Sequence, residues 1–539
     1  MQEAHFCRWI PPRNLRAALL AVAFVVLTSQ PAAAQPSSTA ATTRPASLVT
    51  SLPSTALADA ARDGDDDLLR AILARGTDVN AYGSDGTPAL HWRVRRDDIA
   101  GARQLLDAGA DPNAASRYDV RPLQLAAANG SEQMIRLLVA AGADPQATDA
   151  LGETMLMAAV GSGDLAAVAT LLELGADVNA RDPHYGQTAL MIAARAGMTD
   201  IARTLIEAGA EIDARTRVGE EPSWILPNSR PGFSFGIGIV RGGLPADRGM
   251  RPFRPGGFTP LLYAARHGHE ATAALLLDAG ADINGAEANQ IAPLLMAISN
   301  DQMPLATMLI ERGANLDARD WYGRTPLWSA VNVRNLYLHN DTFENYIDRE
   351  PVLAVIRLLL EHGADPNPRT SESPPVREHL LSITGTLEWV DFTGQTPFLA
   401  AALAGDVTVM RLLLEYGADP HLPTFGGTTP LMAAAGVNWV VSQTYTEGAD
   451  ALLAAVKLCV ELGMDVNAVN SMGIAAIHGA ANRGSDDIIE FLAGAGARLD
   501  LADNEGRTPL DWAHGVFLAT HPAEPKPSSI ALLERLMAR

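Results

Sequence analysis

A single pattern recurs along this chain: a helix-forming run, then Gly-Ala-Asp-x-Asn, then Gly-x-Thr-Pro-Leu. Its clearest copies are Gly175-Ala176-Asp177-Val178-Asn179 and Gly323-Arg324-Thr325-Pro326-Leu327. Aligned on the threonine, the copies fall at Thr55, Pro88, Arg121, Thr154, Thr188, Thr259, Ala292, Thr325, Thr396, Thr429, Ala475 and Thr508. Steps of 33 residues separate the first four, and the same step runs from 259 through 292 to 325, from 396 to 429, and from 475 to 508. A fixed period restricts the chain to a repeat array, in which no unit buries its apolar face alone and each neighbour supplies core. Such an array is a binding surface more often than a catalyst.

The local chemistry of one unit predicts two helices and a turn. Apolar residues spaced i, i+3, i+4 precede a glycine: Val168, Leu171 and Leu172 before Gly175; Ile135, Leu138 and Val139 before Gly142; Met410, Leu413 and Leu414 before Gly417. That spacing is one face of a helix. Glycine follows where a helix ends in the left-handed conformation, which costs other residues ~1–2 kcal/mol. In Thr-Pro-Leu, the proline suits a first helical turn and the threonine suits the N-cap. Small residues such as Ala126-Ala127, Ala158-Ala159 and Ala193-Ala194 let stacked helices approach closely.

A 33-residue period with Thr-Pro-Leu-His-x-Ala resembles the ankyrin repeat, and the resemblance covers about residues 54–539. It implies an α-rich solenoid of stacked helix pairs with projecting β-hairpin fingers, here about twelve units with four insertions. It also implies a role in protein–protein contact rather than catalysis. The motif histidine, which in the family braces the finger, stands only at His91 and His478; Met157, Met191, Leu262, Trp328 and Asp511 replace it elsewhere. Some fingers are therefore expected to be held differently.

The N-terminus reads separately. Arg8, Arg13 and Arg16 precede the apolar stretch Ala17–Leu27, and Ala32-Ala33-Ala34 follows. Residues 1–34 are expected to be a secretory signal with cleavage before Gln35; an uncleaved anchor is the alternative. Residues 35–53, rich in Pro, Ser, Thr and Ala, read as a flexible linker. The expected location is periplasmic or secreted, and no later apolar run is long enough to span a bilayer. Removing Arg8, Arg13, Arg16 and Glu3 moves the net charge from −21 to −23, which disfavours nucleic acid as a partner. Cys7 leaves with the signal, so Cys459 has no disulfide partner within the mature chain. Its register with Leu171 and Leu413 predicts a buried, inert thiol.

No catalytic motif, phosphate-binding glycine loop or haem-attachment motif is present, so no cofactor and no metal are expected. His267-Gly268-His269-Glu270 has the look of a ligand cluster but falls in the turn between paired helices. Asp63-Gly64-Asp65-Asp66-Asp67 lacks full calcium-loop spacing, and its carboxylates are expected to cap the helix that follows.

Aromatic residues make up 5% of the chain, yet Tyr118, Tyr185, Trp321, Tyr322 and Phe425 fall at finger tips, where the core does not need them. Each either anchors a partner or packs on its neighbouring finger. The insertions are the second departure from a plain array. Extra residues lengthen two fingers, about 214–257 (38 extra) and 368–395 (21 extra), and two more insertions of 17 and 13 residues fall between paired helices. From Arg215 to Arg254 seven Arg face Glu220, Glu221 and Asp247, together with Trp224, Phe233, Phe235 and Phe253. A loop of that length and content is often functional; a floppy lineage-specific insertion is the alternative. The reading is thus a monomeric, non-catalytic scaffold that binds a protein through its concave finger face. Its candidate contacts are Tyr118, Tyr185, Trp224, Arg230, Phe233, Phe235, Arg241, Trp321, Tyr322 and Phe425. An enzyme or small-molecule receptor with a pocket under the long fingers is one rival, and a plain spacer is another.

Overall fold

Each unit carries its own start and stop signals, and the structure uses both. Thr154, Thr188, Thr259 and Thr396 accept the backbone N–H three residues on, at 3.2–3.4 Å, satisfying donors a helix start leaves open. Proline occupies the first turn behind Thr259, Thr396 and Thr429. At the other end Gly175 and Gly209 stop their helices at φ of 89° and 91°. A Cβ at either glycine would meet nothing within 4 Å, so backbone angle rather than crowding demands glycine there.

This computed structural model describes residues 53–219, 256–335, 349–371, 390, 393–438, 448–516 and 523–539. All but Pro53 belong to one unit, Ser54–Arg539. The described residues form 24 helices, which pair off into an array of about 11–12 repeats. The first helices of successive pairs are α1 (Ala56–Asp63), α3 (Ala89–Arg95), α5 (Pro122–Ala128), α7 (Met155–Ser162), α9 (Ala189–Ala196), α11 (Pro260–His267), α13 (Pro293–Ser299), α15 (Pro326–Asn335), α17 (Pro397–Ala404), α19 (Pro430–Ala434), α21 (Ala476–Arg483) and α23 (Pro509–His514). Their partners are α2 (Asp66–Leu73), α4 (Ile99–Asp107), α6 (Glu132–Ala140), α8 (Leu165–Glu173), α10 (Thr199–Glu207), α12 (Glu270–Asp278), α14 (Met303–Glu311), α16 (Arg349–Glu361), α18 (Val407–Glu415), α20 (Ala449–Glu461), α22 (Asp486–Gly494) and α24 (Pro527–Met537). First helices pack on first helices and second on second. The buried alanines, leucines and methionines between them form one core running the length of the array. The first-helix row adjoins the fingers, since Gln187 of one finger donates to the Tyr263 hydroxyl of α11 at 3.1 Å; it is called the inner row below. No helix among the described residues is long and apolar enough to cross a membrane.

The stack runs across the long interruptions. Asn179 shows the ordinary link: its Nδ2 donates to Gly209 O at 3.1 Å, and its Oδ1 accepts from Glu211 N at 2.8 Å. Across residues 220–255 the Asp282 N–H reaches Asp213 at 3.1 Å, and the Thr199 and Thr272 hydroxyls meet at 2.8 Å. Across residues 372–389 Asn367 makes the same pair of bonds as Asn179, to Gly417 O and from Asp419 N. The base of each long finger is closed like a short one. Thr216 N donates to Phe258 O at 3.0 Å and Thr370 N to Gln395 O at 3.1 Å, and each threonine hydroxyl accepts the returning N–H.

The fingers differ from the expected β-hairpins. The described residues contain no strand, only isolated bridges between Tyr82 and Pro88 and between Thr148 and Thr154. The tips are too short for a ladder, and a side chain takes the amides a ladder would have used. Asp149 Oδ1 accepts from Leu151 N at 2.9 Å and Glu153 N at 2.7 Å; Asp320 does the same for Tyr322 and Arg324. Such Asx-type closure is not confined to fingers without a motif histidine, since Asp503 accepts Glu505 N and Arg507 N in a finger that has one. Where the histidine is kept it braces a finger: His91 Nε2 lies 2.8 Å from Val120 O and His478 Nε2 3.0 Å from Leu501 O.

A candidate partner-binding surface on the fingers

Several pairs of neighbouring fingers are joined by single backbone bonds. Arg117 N donates to Gly86 O at 2.9 Å, Arg217 N to Tyr185 O at 2.7 Å, and Phe425 N to Thr393 O at 2.8 Å. Ringed residues held on such a rigid edge lose little entropy when they bind. Tyr118 and Tyr185 are each 69% exposed and Phe425 is 59% exposed. Arg117 lies over the Tyr118 ring at 5.3 Å and Arg369 over Phe425 at 4.3 Å. A guanidinium thus steadies the rings of Tyr118 and Phe425.

Trp321 and Tyr322 behave differently. Both are half-buried. Their rings meet edge to face, centroids 5.3 Å apart and 78° between planes, and Arg324 covers Tyr322 at 5.1 Å. Packing within the finger uses most of this pair. Trp224, Arg230, Phe233, Phe235 and Arg241 lie outside the described residues.

Of the exposed apolar residues that escaped the sequence reading, two lie on the fingers beside Tyr185. Leu151 (65% exposed) occupies the tip of the finger before Tyr185, and Val218 (50%) lies at the base of the long finger after it, so Tyr118, Leu151, Tyr185 and Val218 place one apolar side chain on each of four consecutive fingers. The signal was available: each falls two or three residues after the residue that closes the finger, Ser116, Asp149, Asp182 or Thr216.

The suspected ligand clusters have other partners. His269 Nε2 lies 3.0 Å from Arg195 O, and its ring stacks beside His267 at 6.0 Å. Asp65 caps α2 through Leu68 N at 2.9 Å, Asp66 pairs with Arg93 at 2.6 Å, and Asp67 with Arg70 at 2.6 Å. Cys459 is fully buried, and burial pushes its thiol up to about 12.

Comparison with known proteins agrees with this architecture. A family model for ankyrin repeats in three copies matches residues 57–149 and 123–216, and a single ankyrin repeat model matches residues 256–287, 322–371 and 393–425. The chain belongs to the ankyrin repeat family, whose repeats typically mediate protein–protein interaction and are generally non-catalytic. Among curated proteins it is 41% identical over 63 residues to the mouse inactive serine/threonine-protein kinase TEX14, covering 11% of this chain and 4% of that one. It is 33% identical over 142 residues to neurogenic locus notch homolog protein 1 of Xenopus tropicalis, covering 22% of this chain and 6% of that one. The chain therefore spans only a small part of these relatives. Among solved structures it is similar to the human ASB11 ankyrin repeat domain at 22% identity and a TM-score of 0.38, over 56% of this chain and all of that one, a likeness too loose to add to the fold.

Proposed function

We propose that this protein is an exported, monomeric binding scaffold that holds a protein partner on the face where the fingers meet the inner helix row, and that it performs no chemistry. The observation that carries this reading is the row Tyr118, Leu151, Tyr185, Val218. Four large apolar side chains stand exposed on consecutive fingers, and the fingers of Tyr185 and Val218 are bonded to each other through Arg217 N and Tyr185 O. An aromatic anchor on a rigid support, surrounded by polar residues, is what an interface hot spot requires. Phe425 extends the surface toward the C-terminal units, and the sequence adds Trp224, Arg230, Phe233, Phe235 and Arg241 from the long finger. Export rests on residues 1–34 alone, read as a signal ahead of a linker at 35–53.

The test is affinity capture from an envelope extract with the protein beginning at Gln35. Wild type should retain a partner that a Tyr118→Ser, Leu151→Ser, Tyr185→Ser variant loses, with thermal unfolding of the two alike. Capture that survives the triple change overturns the assignment of the surface. N-terminal sequencing of envelope-fraction protein checks export; an intact Met1 start there counts against it.

A further inference from the structure

The acidic residues of this chain are sorted by helix row. The ten inner helices from α3 to α21 contain no Asp or Glu, whereas every outer helix from α4 to α22 contains at least one. Burial explains this only for core positions. The last turns of α3, α5, α7, α9 and α11 face solvent: Arg95, Ala128, Ser162, Arg195 and Arg266 are all exposed, and these five are cationic or neutral. Helix dipoles do not explain it either. Cations are favoured at helix C-termini, but the outer helices end on Asp107, Glu173, Glu207, Asp278, Glu311 and Glu361, against that preference. A protein with a net charge of −21 has thus kept one strip clear of carboxylates.

The strip has a cationic centre where α9 packs on α11. Arg195 and Arg266 are exposed there, and among the described residues neither guanidinium has a hydrogen-bond or ion-pair partner. His269 Nε2 reaches Arg195 O at 3.0 Å, and its ring lies beside His267. That these charges converge shows in His267, whose imidazole is held down to about 4 by desolvation first and then by Arg266, His269 and Arg195. Glu153, a finger carboxylate that Arg195 influences, is half-buried, and burial with Asp149 and Asp182 pushes its pKa up in spite of Arg195. Towards the N-terminus the floor is low, with Ala128, Asn129, Gly161 and Ser162 exposed in sequence, and it reaches the exposed Arg95, which stacks on Trp92 at 5.6 Å.

We infer that the partner presents an acidic polypeptide segment, seated along the inner row from α3 to α11 with its carboxylates on Arg195 and Arg266. This rests on the partner-binding reading above and specifies its chemistry. Two unpaired guanidiniums offer bidentate seats for carboxylates. The surrounding acidic outer row repels the same segment elsewhere, which fixes where it docks.

The probe is a fluorescein-labelled oligoglutamate, with the matching oligoglutamine and a single-stranded oligonucleotide as comparators, titrated into the protein from Gln35 at low salt. The oligoglutamate should bind about tenfold tighter than the oligoglutamine and weaken as salt rises. Arg195→Gln with Arg266→Gln should cost about tenfold, while Arg103→Gln with Arg203→Gln on the outer row costs less than about twofold. The glutamines preserve helix propensity, and matching circular dichroism melts confirm the fold. Equal binding of the two peptides, indifference to the inner-row change, or preference for the oligonucleotide overturns the inference. The two readings separate in the capture experiment. A partner lost with the fingertip variant but kept by Arg195→Gln, Arg266→Gln overturns this inference and leaves the fingertip surface standing.

Discussion

Arg334 donates through Nε to Asp406 Oδ2 at 2.9 Å, although 72 residues separate them, and both side chains are buried, 6% and 2% exposed. Arg349 brings a second guanidinium to the same oxygen at 3.0 Å. The other oxygen accepts Val409 N at 3.1 Å and caps α18. One carboxylate therefore ties the end of α15 and the start of α16 to the next unit, with residues 336–348 between those two ends. Removing one member of a buried pair leaves the other charge unpaired, which costs about 3–5 kcal/mol. Asp406→Ala should lower the unfolding free energy read from urea titration by that order and expose α15–α18 to hydrogen exchange first. Arg103→Ala, exposed on α4, should leave both measurements unchanged.

The helices were legible in the sequence because helix signals are local: Thr154, Pro260 and Gly175 act on residues within one turn. The Arg334–Asp406 contact was not, because it depends on how far the stack continues past two insertions. The strand expectation failed for a related reason. A family-level hairpin says nothing about whether Asp149 or Asp320 will take the amides first. For the candidate surface, Tyr118, Tyr185 and Phe425 were found by residue type, and Leu151 and Val218 were missed because only register marks them. The acid-free inner row was written plainly in the sequence, but it becomes a surface only once helices 33 residues apart lie side by side.

The long finger should be removable. Thr216 and Phe258 close its base, and Gly256 O accepts from Ala288 N at 3.2 Å in the next finger. Replacing residues 219–255 with a short turn should barely move thermal unfolding, since loop length costs only ~0.6 kcal/mol per doubling. Gly256 must stay. Its φ is 115° and a Cβ would sit 1.8 Å from Arg217 O, so Gly256→Ala should cost about 2 kcal/mol or more through backbone displacement. A melt unchanged by Gly256→Ala would show that the base is not closed as described.

Gln290 offers a gain. It sits at a finger tip with φ of 67°, where most of the other fingers place glycine, as at Gly152 and Gly323. Its side chain is exposed. Gln290→Gly should relieve the left-handed penalty and, after the extra unfolded-state entropy of glycine, stabilise by about 0.5–1 kcal/mol. Denaturant titration of the two proteins reads the difference, and a loss of stability would contradict it.

His267, held down to about 4 in the middle of the array, and the buried pair His91 and His478 should all weaken the fold on acidification. Burial lowers all three imidazoles below their ordinary value of 6.5. Above that value neither state binds the proton and the full stability is present. As pH falls below it, the unfolded chain takes up protons before the folded one, so stability drops by as much as about 1.4 kcal/mol per histidine per pH unit. Burial raises Glu153 and Glu287, which oppose the trend only nearer the carboxylate range. The midpoint should fall from pH 7 to pH 5, and His91→Gln with His478→Gln should flatten the slope. Equal slopes would assign the effect to other groups.

Cys459 should resist thiol reagents until its layer opens. It lies on α20 in the inter-repeat core between Leu452, Val456 and the following units, fully buried. Burial holds its thiol up to about 12, so at pH 8 the reactive thiolate is suppressed by roughly four powers of ten before access is considered, whereas an ordinary cysteine of pKa about 8.5 is substantially ionised. In protein beginning at Gln35 it is the only cysteine, which makes the readout unambiguous. Native labelling should be negligible over hours, then rise with the urea transition to a stoichiometry of about one, tracking opening rather than intrinsic reactivity. Because α20 packs on α22 and on α18, Asp406→Ala should bring that labelling forward to lower urea if the array opens from α15–α18 outward. Rapid labelling of the native protein would place the sulfur outside the core.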